Sequence, residues 1–166
     1  MNPMIDVAIE TKDWAALEAP SQLAEAAILA AIRETGVSLA ANAEISVLFC
    51  ADSRIRGLNR KWRGIDRPAN VLAFPNGGDA AFAPLLGDIV IAFETASREA
   101  FEAGRPLRDH VAHLLVHGFL HLIGHDHGEA AEAERMEALE RAILGRLGIA
   151  DPYQASLLEE AAGPNE

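Results

Sequence analysis

All six histidines of this 166-residue chain lie between His110 and His127. Four of them, His113, His117, His121 and His125, follow one another at intervals of four. Side chains at i and i+4 share one helix face, about 6 Å apart at Cβ, so two such imidazoles can grip one metal ion. Gly124 lets the chain leave the helix, and Asp126-His127 can swing a third imidazole back to the same point. His117, His121, Gly124 and His127 stand at i, i+4, i+7 and i+10, the spacing of the zinc peptidase pattern H-E-x-x-H-x-x-G-x-x-H. Three neutral imidazoles leave a coordination position open for water, whose pKa falls to about 7 on zinc, and that is hydrolytic chemistry. The peptidase's general base is missing, because Gly118 follows the first histidine. His113 shares the face but lies about 6 Å along the axis, so it reads as a packing residue or a support for the ligands, as does His125. His110 carries no signal.

The segment HGFLHLIGHDH (117–127) resembles the signature H-G-x-L-H-L-x-G-Y-D-H of the bacterial endoribonuclease YbeY family of ribosomal RNA maturation factors. LNRKWRGIDRPANVLAFP (58–75), LLGDIVIA (85–92) and ADSRIRGLN (51–59) are similar to three further segments of that family, in the same order. The resemblance implies a single-strand-specific, metal-dependent endoribonuclease acting in maturation of small-subunit (16S) ribosomal RNA and in ribosome quality control. It carries the metal ligands onto His117, His121 and His127, and a functionally essential arginine onto Arg63. It further implies an α+β fold with the metal helix packed behind a mixed sheet, and the small ribosomal subunit or its assembly factors as partners. One zinc per chain is the expected cofactor, with nickel or another divalent ion also acceptable to three imidazoles.

This sequence departs from the family pattern where His125 replaces a tyrosine and where Ala69 and Ala73 replace common hydroxyl residues. Arg63 suits a phosphate clamp, since its planar guanidinium donates in a bidentate fork and stays charged. Asp126 can accept from a ligating imidazole, or bond its own backbone in a turn. Asn70 can face the cleft, Asp88 reads as a turn residue, and Cys50 as a buried, inert thiol. Two other functions compete: a metallopeptidase-like hydrolase on the same three histidines, and a non-catalytic ribosome-assembly factor whose metal is structural.

The elements that must hold these residues alternate between two periodicities. Strands are expected at Ile5–Ile9, Ile45–Cys50, Val71–Phe74 and Gly87–Ala92, the last a continuous apolar run and therefore central. Helices are expected from Pro20 to Gly36 and from an Asp52-Ser53 cap to Trp62. From Glu94 onward the chain reads as helical, with breaks at 104–106, 124–128 and 148–152. On the last helix, Met136, Leu139, Ile143 and Leu147 form the apolar side, and Glu129, Glu132, Glu134, Glu137 and Glu140 the solvated one. The sum is one α+β domain over residues 1–160, a small mixed four-stranded sheet packed against helices, with a disordered tail at 161–166.

Composition sets the limits. Half of the chain is hydrophobic and 23% charged, which suits a packed core. One cysteine cannot form an internal disulfide, the N-terminus has no signal-peptide pattern, and no apolar run spans a bilayer, so a cytoplasmic protein is expected. A net charge of −11 argues at face value against nucleic acid, and no DNA or membrane partner is expected. The basic residues are concentrated, however: Arg54, Arg56, Arg60, Lys61, Arg63 and Arg67 face Asp66 alone within one segment. RNA binding is therefore expected there, beside the metal as the resemblance places it, and weakening with salt.

Overall fold

The computed structural model describes residues 2–126 and 128–153. His127 and the expected tail at 161–166 lie outside the described residues. The chain runs β1 (Met4–Ile9), a short 3-10 turn (Lys12–Ala16), α1 (Pro20–Thr35), β2 (Glu44–Cys50), α2 (Asp52–Arg63), β3 (Val71–Pro75), β4 (Leu85–Ala92), α3 (Phe93–Glu102), α4 (Leu107–Leu122) and α5 (Ala130–Arg146). The sheet order is β1-β2-β4-β3, with β1, β2 and β4 parallel and β3 antiparallel to β4. The sheet is mixed and the fold α+β, as expected.

Alternation along the strands divides the interior. Ile45, Val47 and Phe49 of β2, and Ile89 and Ile91 of β4, enter the main core with α1, α4 and α5. Their neighbours Cys50, Val90 and Ala92, with Leu72 of β3, point to the other face, where Ile55 of α2 covers them. β4 is apolar on both faces because both are covered, which explains its unbroken Ile-Val-Ile-Ala run. Trp14, in a stretch the sequence left without an element, is buried edge-on against Phe49 and Phe93 and donates from Nε1 to the Cys50 carbonyl at 2.9 Å.

α4 is buried almost all round, through Val111, Leu115, Val116, Phe119 and Leu120 among others, because it lies between the sheet and the helices α1, α3 and α5. At Gly118 it comes so close to the sheet that a Cβ would stand 2.8 Å from Ile89 Cγ2. The helix closes after Leu122, and Gly124, at φ +103°, turns the chain away, as its sequence position implied.

The cap of α2 differs from expectation. Its N-cap is Ala51, with no side-chain bond, and Asp52 turns instead to α3. Its carboxylate accepts from the Thr95 backbone N–H at 3.0 Å and from the Thr95 hydroxyl at 2.8 Å, while Glu94 Oε1 accepts from the Asp52 N–H at 2.9 Å. Two helix N-termini thus cap each other, which a reading of each helix alone cannot show. Among the described residues no helix is long and apolar enough to cross a membrane.

Candidate metal centre and cleft

α4 brings His117 and His121 to one face, one turn apart, with ring centroids 4.7 Å apart and Nε2 atoms 3.2 Å apart. Two zinc–nitrogen bonds of about 2.0–2.1 Å at the tetrahedral angle separate their nitrogens by about 3.3 Å, so this pair fits one ion. No group of three or more His, Cys, Asp or Glu set to hold a metal occurs among the described residues, from which the third expected ligand, His127, is absent.

The two imidazoles open onto a cleft of about 510 Å³ between α4 and β3, lined also by Arg63, Asn70, Val71, Ala73, Gly118 and Asp126. Arg63 is the last residue of α2, which Gly64 ends in the left-handed conformation at φ +71°. Buried Asn59 holds the following loop by donating from Nδ2 to the Arg67 carbonyl at 2.9 Å. Ala69 and Ala73 both line the cleft, so the two hydroxyls this sequence lacks would have stood there. Asn70 donates to Glu99 Oε1 and accepts from the Val71 N–H, and His110 Nε2 meets the same Glu99 oxygen at 2.9 Å. Burial pushes the His110 pKa down, against the pull of Glu99. His110 is therefore part of the support for β3.

Of the remaining basic residues, Arg54, Arg56, Arg60 and Lys61 lie on α2 and Arg67 in the loop after it. Arg56 is paired with Asp66 at 2.9 Å, and Arg54 lies 3.6 Å from Glu10. Arg56 and Arg60 line a shallow hollow with Asp66. Arg54 and Trp62 line a groove of about 590 Å³ on the opposite face of the sheet, where Asp88 also lies, inside β4 rather than in a turn. Partial burial there pushes the Asp88 pKa up. His125 is half-buried, its backbone N–H donating to the Leu120 carbonyl.

Glu140 corrects the reading of α5. It is not on the solvated side but 1% exposed, behind α4. Its Oε1 lies 2.7 Å from His113 Nε2, its Oε2 2.7 Å from His117 Nδ1, and it accepts from the Tyr153 hydroxyl. Burial raises its pKa, but the three hydrogen bonds outweigh burial and bring it down to about 2, so the carboxylate is ionised. The sequence did hold a signal: Glu140 stands four residues after Met136 and three before Ile143, inside the apolar stripe.

An imidazole pair on a buried helix, facing an arginine across an open cleft, is the build of a metal-dependent hydrolase that handles an anionic substrate. Residues 7–148 match the profile of a family described as Endoribonuclease YbeY. Endoribonuclease YbeY of Methylocella silvestris is 60% identical to this chain, the alignment covering 99% of this chain and 94% of the relative. Its counterpart from Beijerinckia indica is 52% identical over 100% and 86%. The solution structure of TM1509 from Thermotoga maritima superposes with a TM-score of 0.55 at 25% identity, covering 87% of this chain and 91% of that one. The chain belongs to the YbeY endoribonuclease family, and it is a metal-dependent hydrolase that cleaves RNA.

Proposed function

We propose that this protein is a single domain over residues 1–160 that cuts single-stranded small-subunit (16S) ribosomal RNA in the cytoplasm. It would act during maturation and in ribosome quality control, in contact with the small subunit or its assembly factors. His117, His121 and His127 would hold the ion, zinc by preference and nickel as a substitute. When bound, the metal supplies a Lewis acid for water activation or phosphoryl polarisation. The observation that carries this reading is the convergence of the His117 and His121 Nε2 atoms on the cleft that Arg63 also lines. From there the guanidinium can bind two phosphate oxygens and offset the charge that builds on phosphorus during attack. Arg54, Arg56, Arg60, Lys61 and Arg67 would steer the strand toward it. Asp126, which lines the cleft, would accept from a ligating imidazole and fix its orientation.

The peptidase reading loses ground to the packing at Gly118, which leaves no room for a glutamate base. An assembly factor without catalysis is a poor match to a family of RNA-cleaving enzymes. The test is metal-analysed protein incubated with single-stranded and duplex RNA, beside His117→Ala and Arg63→Ala. The wild type cleaves the single strand until a chelator removes the metal, and His117→Ala loses both metal and cleavage. Arg63→Ala keeps its metal and loses at least about 100-fold in rate. Wild type inert at every metal loading, or His117→Ala cutting equally well, sinks the proposal. Product ends distinguish the nucleophile, since attack by the RNA's own 2′-hydroxyl leaves a cyclic phosphate and attack by water does not.

A further inference from the structure

Among the charged side chains of the described residues, Glu140 alone is fully buried. A buried carboxylate is costly unless donors surround it, and here three do, from two places in the fold. His113 and His117 reach it from successive turns of α4, and Tyr153 from the turn after α5. That turn is itself fixed. The Tyr153 backbone N–H donates to Asp151 Oδ1 at 2.8 Å, Arg141 Nε lies 3.2 Å from Asp151, and the Arg141 guanidinium lies 5.2 Å from the centre of the Tyr153 ring. The ring also stands edge-on to His113 at 5.6 Å.

A carboxyl is the stronger acid of a carboxyl–imidazole pair, so the hydrogen in each of these two contacts sits on the ring nitrogen that faces Glu140. For His113 that nitrogen is Nε2, which turns this ring away from the cleft and onto Glu140. For His117 it is Nδ1, and the proton there leaves a lone pair on Nε2, the atom 3.2 Å from His121 Nε2. Which ring nitrogen is available to a metal is set by the bond the other one makes.

We propose that Glu140 and Tyr153 are positioning residues. The buried carboxylate holds His117 with its proton on Nδ1 and its Nε2 lone pair toward the cleft, and the tyrosine hydroxyl holds the carboxylate. The inference rests on the proposed role of His117 as a metal ligand. It joins α5 and the 151–153 turn to a site that neither element lines.

The experiment compares full-length wild type with Glu140→Gln, Tyr153→Phe and His117→Ala. Long-range 1H–15N correlation spectra of the metal-free proteins read the His117 tautomer, chelator competition reads the zinc Kd, and circular dichroism reads the melting temperature. Wild-type His117 carries its proton on Nδ1. Glu140→Gln loses that single tautomer and binds zinc about 10- to 100-fold more weakly. Tyr153→Phe keeps the tautomer with a smaller loss of affinity, and it carries the test should Glu140→Gln fail to fold. The proposal is overturned if wild-type His117 carries its proton on Nε2, or if every variant at Glu140 and Tyr153 that folds binds zinc with the wild-type Kd and changes only the melting temperature. A His117→Ala protein that binds zinc like the wild type instead removes the ligand role of His117, whatever Glu140 does.

Discussion

Gly118 sits between the two cleft histidines at the position where zinc peptidases carry their general base. A Cβ there would meet Ile89 Cγ2 at 2.8 Å and Cγ1 at 3.3 Å, both on a branched side chain fixed in the central strand. Helix propensity alone favours replacing glycine, by about 1 kcal/mol for alanine. Overpacking a closed core costs about 1–3 kcal/mol, and a glutamate adds a buried, unpaired charge. Gly118→Glu should therefore lower stability in urea by about 3 kcal/mol or more without creating peptidase activity. A variant as stable as wild type would show that α4 can lift from the sheet at no cost. Cys50 gives a second test of packing. Burial pushes its thiol up to about 12, with Glu10 adding to the effect, so it stays protonated at neutral pH. A thiol reagent should leave it intact until the protein unfolds, and rapid labelling of native protein would contradict its burial. At this scale the imidazole spacing was legible because helical geometry fixes it in advance. Glu140 was not, because a glutamate among other glutamates reads as solvated unless its place in the Met136–Ile143 stripe outweighs its charge.

Arg63 reaches the cleft because α2 starts and ends in fixed places. Gly64 fixes the end. The start is fixed by the exchange in which Asp52 caps α3 and Glu94 caps α2. The two halves of this exchange differ in exposure. Thr95 is buried, so losing Asp52 strands its N–H and its hydroxyl, whereas the Asp52 N–H freed by losing Glu94 can turn to water. Asp52→Ala is accordingly expected to cost about 1–2 kcal/mol in urea unfolding, and Glu94→Ala no more than about 0.5 kcal/mol. Equal effects would mean that the exchange is not buried on the Thr95 side. The order of elements could be read from the sequence, since each strand and helix carries its own period and a glycine follows each helix within two residues. The exchange could not, because it joins residues more than forty positions apart and Asp52-Ser53 imitates an ordinary local cap.

Net charge is where sequence and structure diverge most. Six basic residues fall between Arg54 and Arg67, against an acidic remainder that brings the chain to −11. Helical geometry fans five of them around α2: Arg54 lies toward Glu10 and Arg56 on Asp66, while of the six Arg63 alone lines the cleft with the histidines. Exposed pairs of this kind are weak, worth about 0–1 kcal/mol, yet RNA must still break them to gain the phosphate contact. That leaves Arg60, Lys61, Arg63 and Arg67, all exposed at the end of α2 and in the loop after it. Single-stranded RNA releases about 0.7 counterion per phosphate contact, so four contacts give a slope of log K against log salt of about −3, and all six about −4. Anisotropy of a short RNA with uncut His117→Ala protein, from about 50 to 200 mM salt, should give a slope no steeper than about −3. Adding Arg63→Ala should then remove about 0.7 of it. A slope beyond about −4 would mean that the strand runs across the whole basic segment and opens both pairs. A flat one would mean that phosphates contribute little to binding, and that Arg63 acts on the transition state alone.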